Sequence, residues 1–116
     1  MGAVNASGAR TDFSSVGPTA DGRIKPDVDA QGAGVLVASP FFVSGYTYSW
    51  TSFSCPLTAG VVALVLQAHP TYTVDQVLAV MRSTASQSAS PDNLLGWGIV
   101  NALAAVQAVP PAPAAP

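Results

Sequence analysis

The stretch "TSFSCPLTAGVVALVLQAHP", residues 51–70, decides how the rest of the chain is read. It places two hydroxyl residues and a proline ahead of an apolar run from Leu57 to Leu66, in which Ala59, Gly60 and Ala63 are small enough for close backbone approach. Apolar residues fall on every face at helical spacing, which predicts a fully buried helix from Ser52 to about Ala68, with Pro56 in or just beyond its first turn and His69-Pro70 ending it. Cys55 is expected to pack there as a small hydrophobe, and His69 to bond the last carbonyls. Read from residue types alone, Ser52 is either the cap of that helix or a nucleophile mounted on it. Composition favours the cap, because a serine before an apolar run usually fills that role. A serine nucleophile also needs a base. The single histidine, His69, lies seventeen residues on, about 25 Å along a helix at 1.5 Å per residue, so it is no base for Ser52.

Outward from this segment the punctuation changes. Residues 1–5, "MGAVN", suit a short strand, and 6–26 are rich in Gly, Ser, Thr, Asp and Pro, with turn signals at Gly17-Pro18 and Asp21-Gly22. A loop of that length without its own elements implies that it packs against something. Lys25, Pro26 and Asp27 are expected to organise it through an ion pair and turn chemistry. "GVLVASP", 34–40, reads as a buried strand, and "FFVSGYTYSW", 41–50, as an extended ribbon. Further on, Thr73 and Gln76 form a capping-box pair, with Tyr72 and Val77 placed as a hydrophobic staple, for an amphipathic helix ending near Ser86. Gly96–Val100 reads as extended and is followed by a helix capped by Asn101 to about Val109, before a proline-rich tail, "PPAPAAP".

Composition excludes several functions. The 116 residues carry four Lys and Arg against six Asp, no Glu, and a formal net charge of -2, which offers no basic surface for nucleic acid. The ten-residue apolar run is half of the roughly 20 needed to cross a bilayer, so no membrane span is expected. With Cys55 the only cysteine, no intrachain disulfide forms. The opening "MGAVNASGARTDF" has neither the basic nor the apolar region of a secretory signal. No glycine-rich phosphate loop occurs. Asp21, Asp27 and Asp29 are weak candidates for calcium, lacking a fixed ligand spacing, and no cofactor is expected.

Three segments, in order, resemble the subtilisin-like serine proteases. "TSFSCPLTAG" is similar to the family's G-T-S-[MF]-[AS]-x-P nucleophile segment, "FSSVGPTADGRIKPDVDAQG" (13–32) to its S-x-G-P-T-x-D-G-R-x-K-P-D-V-x-A-P-G segment, and "GWGIVNALAAV" (96–106) to its closing G-x-G-x-[IV]-N-A segment. The resemblance covers residues 1–108 and implies the carboxyl-terminal part of a peptidase domain, with 109–116 as tail or linker. The implied fold is α/β, a partial subtilisin-like arrangement of parallel strands around a buried nucleophile-bearing helix. The implied chemistry is acyl transfer from a polypeptide substrate at Ser52, whose backbone N–H would serve as an oxyanion donor. Thr51 would support the turn and Pro56 fix the helix start.

The resemblance also implies an absence. In the family the catalytic Asp and His and the oxyanion Asn precede the nucleophile by long stretches, whereas residues 1–51 hold no histidine. The chain alone is therefore expected to be inactive without the amino-terminal half of the domain. The parent protein would be secreted, with a structural calcium allowed there. Trp50 stands where the family has Gly, predicting backbone strain or a blocked pocket, and a non-catalytic homologue or peptide-binding module is the alternative reading. Gln31 in place of proline is a milder departure.

Overall fold

A computed structural model describes residues 1–38 and 45–110. The element order is β1 (Gly2–Val4), β2 (Asp29–Gln31), β3 (Val35–Val37), β4 (Tyr46–Tyr48), α1 (Thr51–Ala68), α2 (Val74–Ser83) and α3 (Ala102–Gln107). β1 and β2 pair in parallel, Gly2 opposite Asp29 and Val4 opposite Gln31, and Ile99 extends the parallel pairing by a bridge to Asp29. This is the α/β architecture expected. β2 lies past the 6–26 loop, in a stretch where no strand was expected, because "DAQ" has no β-branched residue and too few positions to show alternation.

The loop from 6 to 26 packs as anticipated, and it does so against β1. Ser14 is buried and its hydroxyl accepts from the Ala3 N–H at 2.9 Å, while the Thr11 N–H and hydroxyl both donate to the Ala3 carbonyl at 3.1 Å. Its far end is held as the residue types predicted. Asp27 pairs with Lys25 and also with Arg82 of α2, and the Arg82 guanidinium lies 4.4 Å from the centre of the Trp97 ring. Burial pushes the Asp27 carboxyl up, but the hydrogen bonds from Lys25 and Arg82 outweigh it and hold it below the usual carboxylate range.

Both later helices begin where their caps were placed. The Thr73 hydroxyl accepts from the Gln76 N–H at 3.3 Å and the Gln76 side chain accepts from the Thr73 N–H at 2.8 Å. α2 ends at Ser83, three residues short of the expected end. The Asn101 side chain accepts from the Ala104 N–H at 3.0 Å, and α3 stops at Gln107 rather than Val109. The core gathers Val65 of α1, Val77, Val80 and Met81 of α2, and Ala105 of α3.

Three burial expectations are overturned. α1 was expected to be covered all round, yet only Ser54, Thr58 and Val65 are buried, because the sheet, α2 and α3 lie on one side of it; Leu57, Leu64 and Leu66 stay 40 to 49% exposed. Cys55 is exposed for the same reason. The full helix, 18 residues at mean hydropathy 1.5, is longer than the ten-residue run on which a membrane span was discounted and is comparable in length and composition to a membrane-crossing helix, though it packs against β1, β2, α2 and α3. The 34–40 strand is not buried: β3 pairs antiparallel with β4, Val35 opposite Tyr48, and Leu36 is 72% exposed. The readings of residues 39–44 and of the tail from 111 lie outside the described residues.

Gly96 locks the closing segment onto the loop. Its φ is +58°, and a Cβ there would lie 1.8 Å from the Pro26 carbonyl oxygen. Gly96→Ala is expected to lower stability by about 2 to 3 kcal/mol, read as a shift in the urea midpoint. An unchanged midpoint would show that the contact between 96 and the Pro26 carbonyl is dispensable.

Candidate active site

The amino end of α1 is held by the ends of the two parallel strands. The Gly32 N–H, just after β2, donates to the Val4 carbonyl at 2.9 Å, and the Gly32 carbonyl accepts from the Trp50 N–H at 2.8 Å. The helix then opens with the Phe53 N–H donating back to the Trp50 carbonyl at 3.0 Å. A site placed at the carboxyl ends of parallel strands is the usual location in α/β folds.

This geometry removes one of the two readings of Ser52. Trp50, not Ser52, occupies the N-cap position, and it makes no side-chain cap bond. Ser52 lies two residues further on, in the first turn, so the reading of Ser52 as the helix cap is set aside. Its side chain is exposed, and among the described residues its hydroxyl has no hydrogen-bond partner. The Ser54 hydroxyl, by contrast, is buried and donates to the Thr51 carbonyl at 2.8 Å, and Thr58 donates to the Ser54 carbonyl at 3.2 Å. Positions two apart on a helix point about 200° from one another, so burying Ser54 against the sheet turns Ser52 outward.

Electrostatics at this end suit an anion. The first N–H groups of a helix have no intrahelical acceptor, and the macrodipole adds a positive partial charge there. No acidic side chain stands in the first turn to neutralise it. Pro56 falls just beyond the first turn, as expected, and withholds from the Ser52 carbonyl its i+4 N–H partner.

Trp50 is accommodated without the expected strain. Its φ of -170° and ψ of 161° are extended backbone that any residue adopts, so a glycine is not required there. The ring lies on Phe13, centroids 5.4 Å apart and tilted by 58°, a contact that nothing in the spacing of residues 13 and 50 signals. Tyr48, just before Trp50, stacks on Phe53 at 5.6 Å, with Tyr46 edge-on to Tyr48 at 6.2 Å.

The remaining candidates are not brought to Ser52. His69 caps the opposite end of α1, its Nε2 2.7 Å from the Val106 carbonyl of α3 and its ring stacked on Tyr72 at 4.4 Å. It thus ties α1 to α3 instead of bonding its own helix's carbonyls, although its backbone N–H does donate to Val65 at 2.9 Å. Asp21 is engaged with Thr19 and Arg23, Asp27 with Lys25 and Arg82, and no cluster of three metal-ligating side chains occurs among the described residues. Asp29 is wholly buried, with neither carboxylate oxygen hydrogen-bonded; Gly2 leaves the space it fills, since a Cβ there would lie 1.9 Å from Oδ1. Burial pushes its carboxyl up to about 7, with the Met1 ammonium and Arg10 opposing the rise and Asp92 adding to it.

Against known proteins, the model of the subtilase family, Peptidase_S8, matches residues 1–98. This chain belongs to the subtilase family. It is 37% identical to subtilisin NAT of Bacillus subtilis subsp. natto over 108 residues, covering 92% of this chain and 26% of that protein. It is 35% identical to the minor extracellular protease Vpr of Bacillus subtilis over 115 residues, covering 86% of this chain and 14% of that protein. Among solved structures, MycP1 from Mycobacterium smegmatis superposes with a TM-score of 0.76 at 26% identity, over 95% of this chain and 30% of that one. The subtilase segment described here thus spans a minor part of the length of these relatives, and the part it spans holds the helix that carries Ser52.

Proposed function

We propose that this chain is the carboxyl-terminal, nucleophile-bearing part, residues 1–108, of the catalytic domain of a subtilisin-like serine endopeptidase. Ser52 attacks the substrate carbonyl, its proton passing to a base that returns it to the amine leaving as the peptide C–N bond breaks; water, deprotonated by the same base, then releases the acyl group from Oγ and restores the hydroxyl. The Ser52 N–H at the helix start donates to the developing oxyanion. The observation that carries this reading is the exposed, unengaged hydroxyl of Ser52 in the first turn of α1, where the family's nucleophile motif falls.

Base and orienting carboxylate must come from a companion segment, since His69 is committed to Val106 at the other end of α1. The uncovered face of that helix supports this, as does an apolar groove of about 370 Å³ between α1 and α2, lined by Val62, Leu66, Tyr72, Val77 and Met81. Export of the parent protein accords with the extracellular relative. The alternative, a homologue that binds peptides without cleaving them, draws on Trp50, but the unstrained backbone there removes half of its support.

The test compares hydrolysis of an unfolded protein by the intact protein and by residues 1–116 alone. The intact protein is expected to cleave it, and the 116 residues to show no measurable turnover, as a triad lacking its base loses on the order of 10⁶ in rate in subtilisin itself. A folded intact protein without activity, or a cleaving 116-residue chain, would overturn the proposal.

A further inference from the structure

We propose that Ser54 is a positioning residue: its buried hydroxyl, bonded to the Thr51 carbonyl, holds the peptide unit whose other end is the Ser52 N–H and keeps that N–H aimed out of the start of α1. That the aimed group serves an oxyanion rests on the reading of Ser52 above; the positioning itself does not.

A buried serine on a helix often returns its hydroxyl to a carbonyl one turn back. What matters here is which carbonyl receives it. The Thr51 C=O and the Ser52 N–H belong to one planar trans unit and point in opposite directions, so a bond that holds the carbonyl holds the N–H. Ser54 is 0% exposed and donates to that carbonyl at 2.8 Å. The carbonyl runs along the helix, and the N–H points back through its open end, where it has no intrahelical acceptor.

The neighbouring peptide units are held by other means. The Trp50 N–H donates to the Gly32 carbonyl at 2.8 Å, and the Trp50 carbonyl accepts from the Phe53 N–H at 3.0 Å. Those bonds reach the units before and after the one between 51 and 52, but not that one. Its regular helix donor is the Cys55 N–H. The turn around it is weakened, because Pro56 leaves the Ser52 carbonyl without its i+4 donor. The Ser54 hydroxyl thus adds a second donor where the turn is short of one. Since Ser54 lies on the packed side of α1, the tie is independent of what covers the rest of the helix. Thr58 supplies the comparison: it is buried on the same helix and donates at 3.2 Å to the Ser54 carbonyl, whose unit carries the Cys55 N–H instead.

The experiment uses the intact protein with Ser54→Ala or Thr58→Val, each removing one such hydroxyl. The family's nucleophile segment takes Ala or Ser at this place, so Ser54→Ala is expected to fold. On a chromogenic peptide amide, Ser54→Ala is expected to lower kcat about tenfold with KM within about twofold, less than the roughly 10²–10³ that losing a whole oxyanion donor costs in subtilisin. Thr58→Val is expected to leave both constants within about twofold. A second arm reads the Ser52 N–H directly by nitrogen relaxation in nuclear magnetic resonance. Its order parameter is expected near about 0.85 in the parent and in Thr58→Val, and to drop toward about 0.6 in Ser54→Ala. An order parameter unaltered by Ser54→Ala, an unchanged kcat in a cleaving protein, or equal falls in kcat for the two variants would each overturn the proposal. A drop in the order parameter of a folded protein that cleaves nothing would retire the catalytic reading and leave the positioning standing.

Discussion

Ser52→Ala in the intact protein is expected to reduce peptide hydrolysis by a factor on the order of 10⁶ in kcat, with KM changed little. The size follows from chemistry that no other side chain supplies. A single nucleophile splits the reaction into acylation and deacylation, and without it only water at the oxyanion site remains. The neighbouring hydroxyls do not substitute, because Ser54 is buried and bonded to the Thr51 carbonyl, and Thr58 is bonded to Ser54. KM should hold because the change removes one atom from an exposed surface and leaves the Trp50 to Gly32 and Phe53 to Trp50 bonds in place. A fall of tenfold or less in kcat would mean that Ser52 is a bystander in the first turn. Comparable melting curves of the two proteins would show that the loss is chemical.

The largest effect on stability is expected at Asp29. Its carboxyl is raised to about 7 in the folded chain against 3.8 in the unfolded one, so between those values the folded state binds more protons and stability falls as pH rises. The stability is greatest near pH 4 and below, declines through about pH 7 and then levels. Over three pH units at about 1.4 kcal/mol each, the decline approaches about 4 kcal/mol. Asp29→Asn keeps the shape that Gly2 accommodates and removes the charge. The variant is expected to gain most of that amount at pH 8, to match the parent near pH 4, and to show a flatter urea midpoint across the range. The opposing Met1 ammonium and Arg10, and Asp92 on the same side, set the residual slope. Equal pH profiles for the two proteins would contradict the assignment.

Asp29 also marks the limit of what the amino-acid sequence discloses. It lies just past the turn-rich loop, and its burial follows from a three-residue parallel pairing with residues twenty-seven positions earlier, which local periodicity does not register. The elements read correctly are those with local chemical signatures: Thr73 with Gln76, Asn101 with Ala104, and the Lys25 to Asp27 pair. Family and fold were legible because three motifs fall in order, not because any one was decisive.

What went astray depended on coverage. The helix after Ser52 is apolar all round, as seen in the sequence, but whether its Leu57, Leu64 and Cys55 are covered depends on which other elements reach them. The start of the helix moved for a subtler reason. Serine is the better cap by residue type, yet the cap falls two residues earlier, at Trp50, whose N–H is bonded to Gly32, eighteen residues away. The same displacement turns Ser52 from a group occupied in capping into an exposed hydroxyl. His69 likewise finds its acceptor thirty-seven residues on, at Val106, a partner no helix-end rule nominates.

The central claim is that the Ser52 hydroxyl is the nucleophile. Treating the intact protein with a fluorophosphonate and mapping the adduct by tandem mass spectrometry tests it most directly, since the reagent captures a serine only where a base and an oxyanion site act on it together. The account predicts one adduct, on Ser52, lost in the folded Ser52→Ala variant. An adduct on a different serine, or none on protein shown to be folded, would contradict it.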